Sequence, residues 1–217
     1  ADETEEALLE QLKDFHKKLF EMRNNSFLVD FVIRIGETEI PVHRLVLATS
    51  SEYFRGMFST SSKEALSNQV NFSDISVCTM EAIIDYCYTC QIDLTDDNVE
   101  RILIAASKLL IEPLQDECSY YIVQRIDATN CLGIASLSDS YNIKPLHTVA
   151  FQFCIDKFET VVEEKEFLDS DDHMLETLLA NDKLNITESK LFQSLLSWTQ
   201  RDIETRFDSF DRLVKHI

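Results

Sequence analysis

Cys87-Tyr88-Thr89-Cys90 is the one CxxC in the chain, a spacing that serves either zinc or dithiol exchange. A zinc site needs a second pair at suitable spacing, and none follows. Dithiol exchange wants its first cysteine at a helix N-terminus, where the dipole lowers the thiol pKa; here the pair falls at a helix C-terminal end. Structural thiols are the expected reading. Asp96-Asp97, Glu163-Glu164 and Asp171-Asp172 could mimic paired catalytic carboxylates. They fall at expected helix starts with no titratable partner nearby, so dipole complementarity accounts for them better. His16, His43, His147, His173 and His216 show no paired ligand spacing, and HExxH is absent. Gly36, Gly56 and Gly133 are well separated, so no P-loop, dinucleotide fingerprint or nucleophile elbow can be built. No catalytic residue, cofactor or metal is expected. One constellation remains. Asp30, between Val29 and Phe31, is costly on an apolar strand unless partnered, and Arg44 of the His43-Arg44 pair is a candidate partner, within the fold or across a dimer. Strand alternation could instead turn Asp30 outward.

The elements that would position these residues are legible. Leu8, Leu12, Phe15, Leu19 and Met22 recur at steps of four and three, one apolar seam on an otherwise charged helix with Thr4 as its cap. So narrow a seam must dock on something, its own domain or a partner subunit. Phe27 to Ile35 reads as a strand, Gly36-Glu37 as a turn and Thr38 to Val42 as a returning strand, with Pro41 near an edge because it cannot donate to a ladder. Short helices follow from Leu45 and Ser51, then a strand at Val70-Asn71-Phe72, a helix from Ser76 to Thr89 and a strand at Gln91 to Leu94. Thr95 is the expected cap of the next helix, and Pro113 opens another with Leu114, Cys118, Tyr121 and Ile122 inward. After Asp127 strand signals almost vanish. Helices are expected over Asn130–Tyr141, Pro145–Lys157, Asp171–Ala180, Glu188–Asp202 and from Asp208 onward, with Thr187 capping the fourth. The chain therefore divides into a mixed α/β part and an all-α part.

Charge narrows the partners. Across 217 residues, 20 Lys+Arg oppose 39 Asp+Glu, a formal charge of −19. That field repels phosphate backbones and anionic membrane surfaces alike. Proteins offering basic or apolar surfaces are the expected partners, not nucleic acid and not membrane. The acidic start and the lack of an apolar run of spanning length, with cysteines spread through apolar-periodic segments, point to the cytoplasm, with the nucleus open as a second compartment.

The run His43-Arg44-Leu45-Val46-Leu47-Ala48-Thr49-Ser50-Ser51-Glu52-Tyr53-Phe54-Arg55-Gly56-Met57-Phe58 strongly resembles the signature of the BTB (POZ) domain. Asp30 matches that family's strand-borne aspartate, and Cys87-Tyr88-Thr89 with the Asn98-to-Leu110 helix matches its later segments. Asp127-Ala128-Thr129-Asn130-Cys131-Leu132-Gly133-Ile134 resembles the opening motif of the BACK domain, and Phe167-Leu168, Leu184-Asn185-Ile186 and Ser197-Trp198 fit its downstream pattern. The resemblance implies an α+β chain: a BTB/POZ α/β domain with its N-terminal helix over 1–126, then an all-α BACK domain over 127–217 whose first helices are 3-box-like and whose C-terminal part is cut short.

BTB followed by BACK is typical of Kelch-like proteins, and the resemblance carries specific expectations. The chain should be a homodimer through Leu8, Leu12, Phe15, Leu19 and Met22, with Asp30 and Arg44 lining a charged pocket at the two-fold. It should act as an adaptor of a cullin-3 RING ubiquitin ligase, with the substrate read by a propeller domain not contained in these residues. The cullin N-terminal domain would meet Ser62, Glu64 and Tyr88, and Leu132, Ile134 and Leu137 could line a groove for a cullin N-terminal extension or simply pack as helix core. Two departures stand out. Ser62 occupies the position of an apolar anchor worth roughly 1.5–3 kcal/mol when buried, with Met57 or Leu66 as neighbouring substitutes. Cys90 replaces a glycine often found after Tyr-Thr, which should alter a helix end. The rival reading is a BTB scaffold that dimerises without a cullin and organises cytoskeletal or transcriptional assemblies.

Overall fold

The computed structural model describes residues 3–60, 63–181, 183–184 and 186–216. They form two compact units, Ala1–Tyr121 and Ile122–Ile217. The first begins with a long helix, α1 (Glu3–Asn24), then β1 (Phe31–Ile35), β2 (Thr38–Val42), α2 (Arg44–Ser50), α3 (Glu52–Ser59), α4 (Lys63–Ser67), β3 (Gln69–Asn71), α5 (Val77–Thr89), α6 (Val99–Lys108) and α7 (Glu112–Val123). In the small sheet β1 is central, antiparallel to β2 and parallel to β3. The register sets Ile33 opposite both Ile40 and Val70, and all three are buried with Phe31 and Val42. Pro41 sits on the edge strand β2, as its missing N–H requires. Leu47, Phe54, Met80, Ile83, Ile84 and Ile102 complete that core from the helices.

The second unit is helical throughout its described residues: α8 (Cys131–Ser140), α9 (Lys144–Asp156), α10 (Phe158–Val161), α11 (Lys165–Asp169), α12 (Asp172–Leu179), α13 (Glu188–Arg201) and α14 (Ile203–Leu213). Its core gathers Trp198, Phe158, Phe167, Leu175, Leu178 and Leu195. Arg206 is the pin of this unit. Its guanidinium lies 4.4 Å from the Trp198 ring and donates to the carbonyls of Leu168 at 2.7 Å and Trp198 at 2.8 Å. The Trp198 indole in turn donates to the Ser170 carbonyl at 2.8 Å.

Helix starts follow the side chains the sequence offers. Ser51, Ser76, Asp171 and Thr187 each accept the N–H three residues on, from Phe54, Thr79, Met174 and Lys190. Helix ends follow a different rule. With glycine so scarce, left-handed residues with side chains close them: Ser26 (φ 52), Cys90 (φ 53), Leu110 (φ 52) and Asn142 (φ 55). After α1 the Phe27 N–H bonds to the Met22 carbonyl and the Ser26 N–H to Arg23, the paired closure usually built on glycine. Cys90 adopts φ 53, ψ 31 as the cap of α5, which is the helix end that its position suggested; any non-glycine residue pays roughly 1–2 kcal/mol there.

Several sequence expectations are corrected. The first strand begins at Phe31, not Phe27, because the closure of α1 and a second left-handed residue, Leu28 (φ 59), turn the chain through 25–30. Gln91–Leu94 joins no ladder: a strand needs a neighbour, and none lies beside it in the described sheet. The cap of α6 is Asn98, whose side-chain oxygen accepts the Thr95 N–H at 2.8 Å, so Thr95 starts a turn and not the helix. Thr4 lies inside α1, which is described from Glu3. The sequence reading also passed over α10 and α11, too short to show a period, and began α14 at Asp208 where it starts at Ile203.

Candidate protein-interaction surface

Residues in the second half of α1 fix it to its own domain. The His16 ring donates through Nδ1 to the Tyr88 carbonyl at 2.7 Å. Arg23 is nearly buried, pairs with Asp85 on α5, donates to the Pro41 carbonyl and lies over the Tyr88 ring. Leu19 and Met22 are correspondingly half-buried. Toward the N-terminus the same seam has no cover: Leu8, Leu12 and Phe15 are 57%, 47% and 57% exposed. Leu9 on the flank, and Phe27 and Leu28 just beyond the helix, are exposed as well. Of the two docking alternatives left open by the periodicity, the chain's own domain covers one half of the seam and leaves the other half uncovered. An open groove of about 450 Å³ runs between α1 and the end of α5, walled by Leu9, Leu12, Phe20 and Gln91.

Asp30 and Arg44 do come together, through the main chain. The exposed Asp30 carboxylate accepts the Arg44 backbone N–H at 2.8 Å. Arg44 is the first residue of α2, and His43 at the cap position supplies no side-chain bond, so a carboxylate from outside the helix satisfies its first turn. The guanidinium turns elsewhere. It lies 5.0 Å and 5.1 Å from the ring centres of Phe31 and Phe58 and donates to Asn68.

Tyr88 requires the largest correction. It is fully buried, so it cannot offer a surface to a cullin. Its hydroxyl lies 2.7 Å from His43 Nδ1 and accepts the His43 backbone N–H at 2.8 Å. His43 Nε2 is 2.9 Å from the Phe27 carbonyl, which can only accept, so Nε2 carries the proton and Nδ1 takes the Tyr88 hydroxyl proton. Every polar atom in this chain of bonds is satisfied. It ties the exposed Phe27 segment, the start of α2 and the end of α5 into one unit. Sequence reasoning paired His43 only with Arg44; its link to Tyr88, 45 residues away, has no local signal. Burial pushes the Tyr88 phenol above its usual value, as it does Cys87, whose thiol is pushed up to about 12. A thiol held there is no nucleophile at neutral pH.

Of the other candidates, Glu64 is exposed on α4, as is Leu66 at 74%, and Met57 is half-buried. Ser62 lies outside the described residues. Leu132 is core, packed with Cys131, Ala135 and Phe167, which removes it from any groove. Ile134 and Leu137 on the same helix are half-buried and retain a partly open face. Among the described residues no cluster of three His, Cys, Asp or Glu could hold a metal, and no helix is long and apolar enough to cross a membrane.

Comparison with known proteins places this arrangement. A model of the BTB/POZ domain matches residues 19–126, and one of the BACK domain, BTB And C-terminal Kelch, matches 131–217. Kelch-like protein 28 of Mus musculus is 33% identical over 90% of this chain and 34% of its own length. Kelch-like protein 2 of Rattus norvegicus is 31% identical over 95% of this chain and 35% of its own length. The chain thus spans about a third of the length of these relatives. The solved BTB domain of zebrafish PATZ1 is 27% identical, aligning over 52% of this chain and 92% of its own with a TM-score of 0.48. With both domains in this order and Kelch-like relatives along nearly its whole length, the chain belongs to the BTB–BACK proteins of the Kelch-like family.

Proposed function

We propose that this chain is the non-catalytic, homodimeric part of an adaptor that links a cullin-3 RING ubiquitin ligase to a substrate held by another domain. The observation that carries the reading is the uncovered half of the α1 seam. Leu8, Leu12 and Phe15 lie on one stripe of a helix whose other end is pinned by His16 and Arg23, so a second copy meets a preformed apolar rib. Gln91–Leu94, which joins no ladder among the described residues, follows the end of α5 and would be open to a second copy. Glu64 and Leu66 on α4 are both exposed and open to a partner, and a charge of −19 favours partners with basic surfaces. All six cysteines are unpaired, in keeping with a reducing compartment.

A second reading has one specific support. Ser62 stands where a cullin-binding relative would carry an apolar anchor, which favours a scaffold that dimerises and engages no cullin. Dimerisation is common to both readings. Light scattering on the purified chain should return the mass of two 25.1 kDa chains. A single-chain mass at micromolar concentration would remove the basis of either.

A further inference from the structure

Charge is sorted along the uncovered half of α1. Glu6, Glu10, Lys13 and Lys17 recur at steps of four, three and four, so they lie on one stripe, glutamates toward the helix start and lysines beyond. All four are exposed. Among the described residues none of them has an ion-pair partner, whereas nearby Lys18 is held by Asp14 at 2.6 Å. Within a single helix this order is unfavourable, because Glu6 lies one turn from Glu10 and Lys13 one turn from Lys17, and like charges four apart repel. Alternating the same residues as Glu–Lys pairs four apart would stabilise the helix instead. The stripe borders the apolar surface left open, since Lys13 and Lys17 share the groove of about 450 Å³ with Leu9 and Leu12. A second α1 running the opposite way satisfies both patterns about one axis. A two-fold sets each flank of the helix against the same flank of its mate, in reverse order. With that axis midway between Gln11 and Leu12, Glu10 meets the second copy's Lys13 and Glu6 its Lys17, while Leu8 meets Phe15 and the two Leu12 side chains lie at the centre. A parallel pair would instead set Glu6 on Glu6 and Lys13 on Lys13. The charged order and the apolar order thus select the same centre, an agreement that a solvated helix does not require.

We propose that Glu6, Glu10, Lys13 and Lys17 hold α1 antiparallel to the α1 of a second copy of this chain, and so favour self-association over pairing with a chain whose helix lacks this charge order. The proposal rests on the reading that the chain dimerises through the uncovered seam. What it adds is the direction of the two helices, the position of the axis and the residues that choose the partner.

The test is a charge swap read by sedimentation equilibrium. The forms are wild type, Glu6→Lys with Glu10→Lys, Lys13→Glu with Lys17→Glu, and all four substitutions together. Either pair alone makes the stripe single-signed. Its dimer should weaken about thirtyfold at about 50 mM salt, as four exposed pairs change sign, and by much less at about 500 mM. The four-substitution form restores opposite charges in the antiparallel arrangement and should return to within about threefold of wild type, which also shows that the substituted helix folds. An equimolar mixture of the two pair variants should form the heterodimer. The Glu6→Lys, Glu10→Lys variant is less negative overall than wild type, so net repulsion alone would tighten its dimer; weakening marks the specific register. If wild type dimerises and both pair variants dimerise as tightly, the antiparallel charge register is overturned and the dimer stands. If wild type stays monomeric, the dimer reading falls and the register falls with it.

Discussion

Leu12→Glu combined with Phe15→Glu should yield a folded monomer. Both side chains are about half exposed in the single chain, so neither substitution opens a cavity or buries a charge within the protomer. Circular dichroism and the thermal midpoint of the protomer should change little. In a dimer the same two positions occur twice. Burying an apolar side chain contributes roughly 1.5–3 kcal/mol, so losing four of them removes roughly 6 kcal/mol or more, a factor of about ten thousand in dimer affinity. The carboxylates add repulsion across the two-fold on a chain already at −19. Light scattering should show one chain where wild type shows two. An unchanged dimer mass would place the two-fold elsewhere and leave the exposed rib of α1 unexplained.

Tyr88→Phe should be the most damaging single-atom deletion in the first unit. It removes only a hydroxyl from a fully buried ring, so packing is kept. Two polar groups lose their partner together, the His43 N–H and His43 Nδ1. A buried polar group left unsatisfied costs about 1–3 kcal/mol, which puts the variant roughly 2–4 kcal/mol below wild type. Denaturant unfolding with tyrosine-independent detection measures this directly. A loss under about 0.5 kcal/mol would mean the His43–Tyr88 bond carries no net stability. Because Tyr88 has no exposed surface, any fall in partner affinity should track the fraction of unfolded chain.

What the sequence made legible, and what it did not, divides along the range of the forces involved. The seam of α1, the hairpin of β1 and β2 with Pro41 at its edge, and the caps Ser51, Asp171 and Thr187 are set by residues a few positions apart. Periodicity and cap chemistry read such features well. The way the helices close is not legible in sequence, because its usual marker is glycine and Ser26, Leu110 and Asn142 take that place here. Gln91–Leu94 has the alternation of a strand, but a ladder is a property of two segments, and among the described residues no second segment pairs with it. Two residues of the candidate site show the same limit: Tyr88 and Leu132 look alike in sequence whether buried or displayed, and the fold buries Tyr88 against expectation and places Leu132 in the helix core that was one of its two readings. The Asp30 carboxylate accepts the Arg44 N–H and the Glu166 carboxylate the Gly133 N–H, 14 and 33 residues away, contacts that only the folded chain brings together. The family resemblance found Asp30 and His43-Arg44 as positions, while the structure supplied their bonds.

A direct titration of the wild-type chain against the cullin-3 N-terminal domain tests the proposed adaptor role. Saturable binding with a Kd below about 10 µM, one cullin per protomer, is the expected result. Heat or fluorescence that shows no binding up to about 50 µM, from a chain that is folded and dimeric, would contradict the adaptor reading and leave the cullin-independent scaffold in its place.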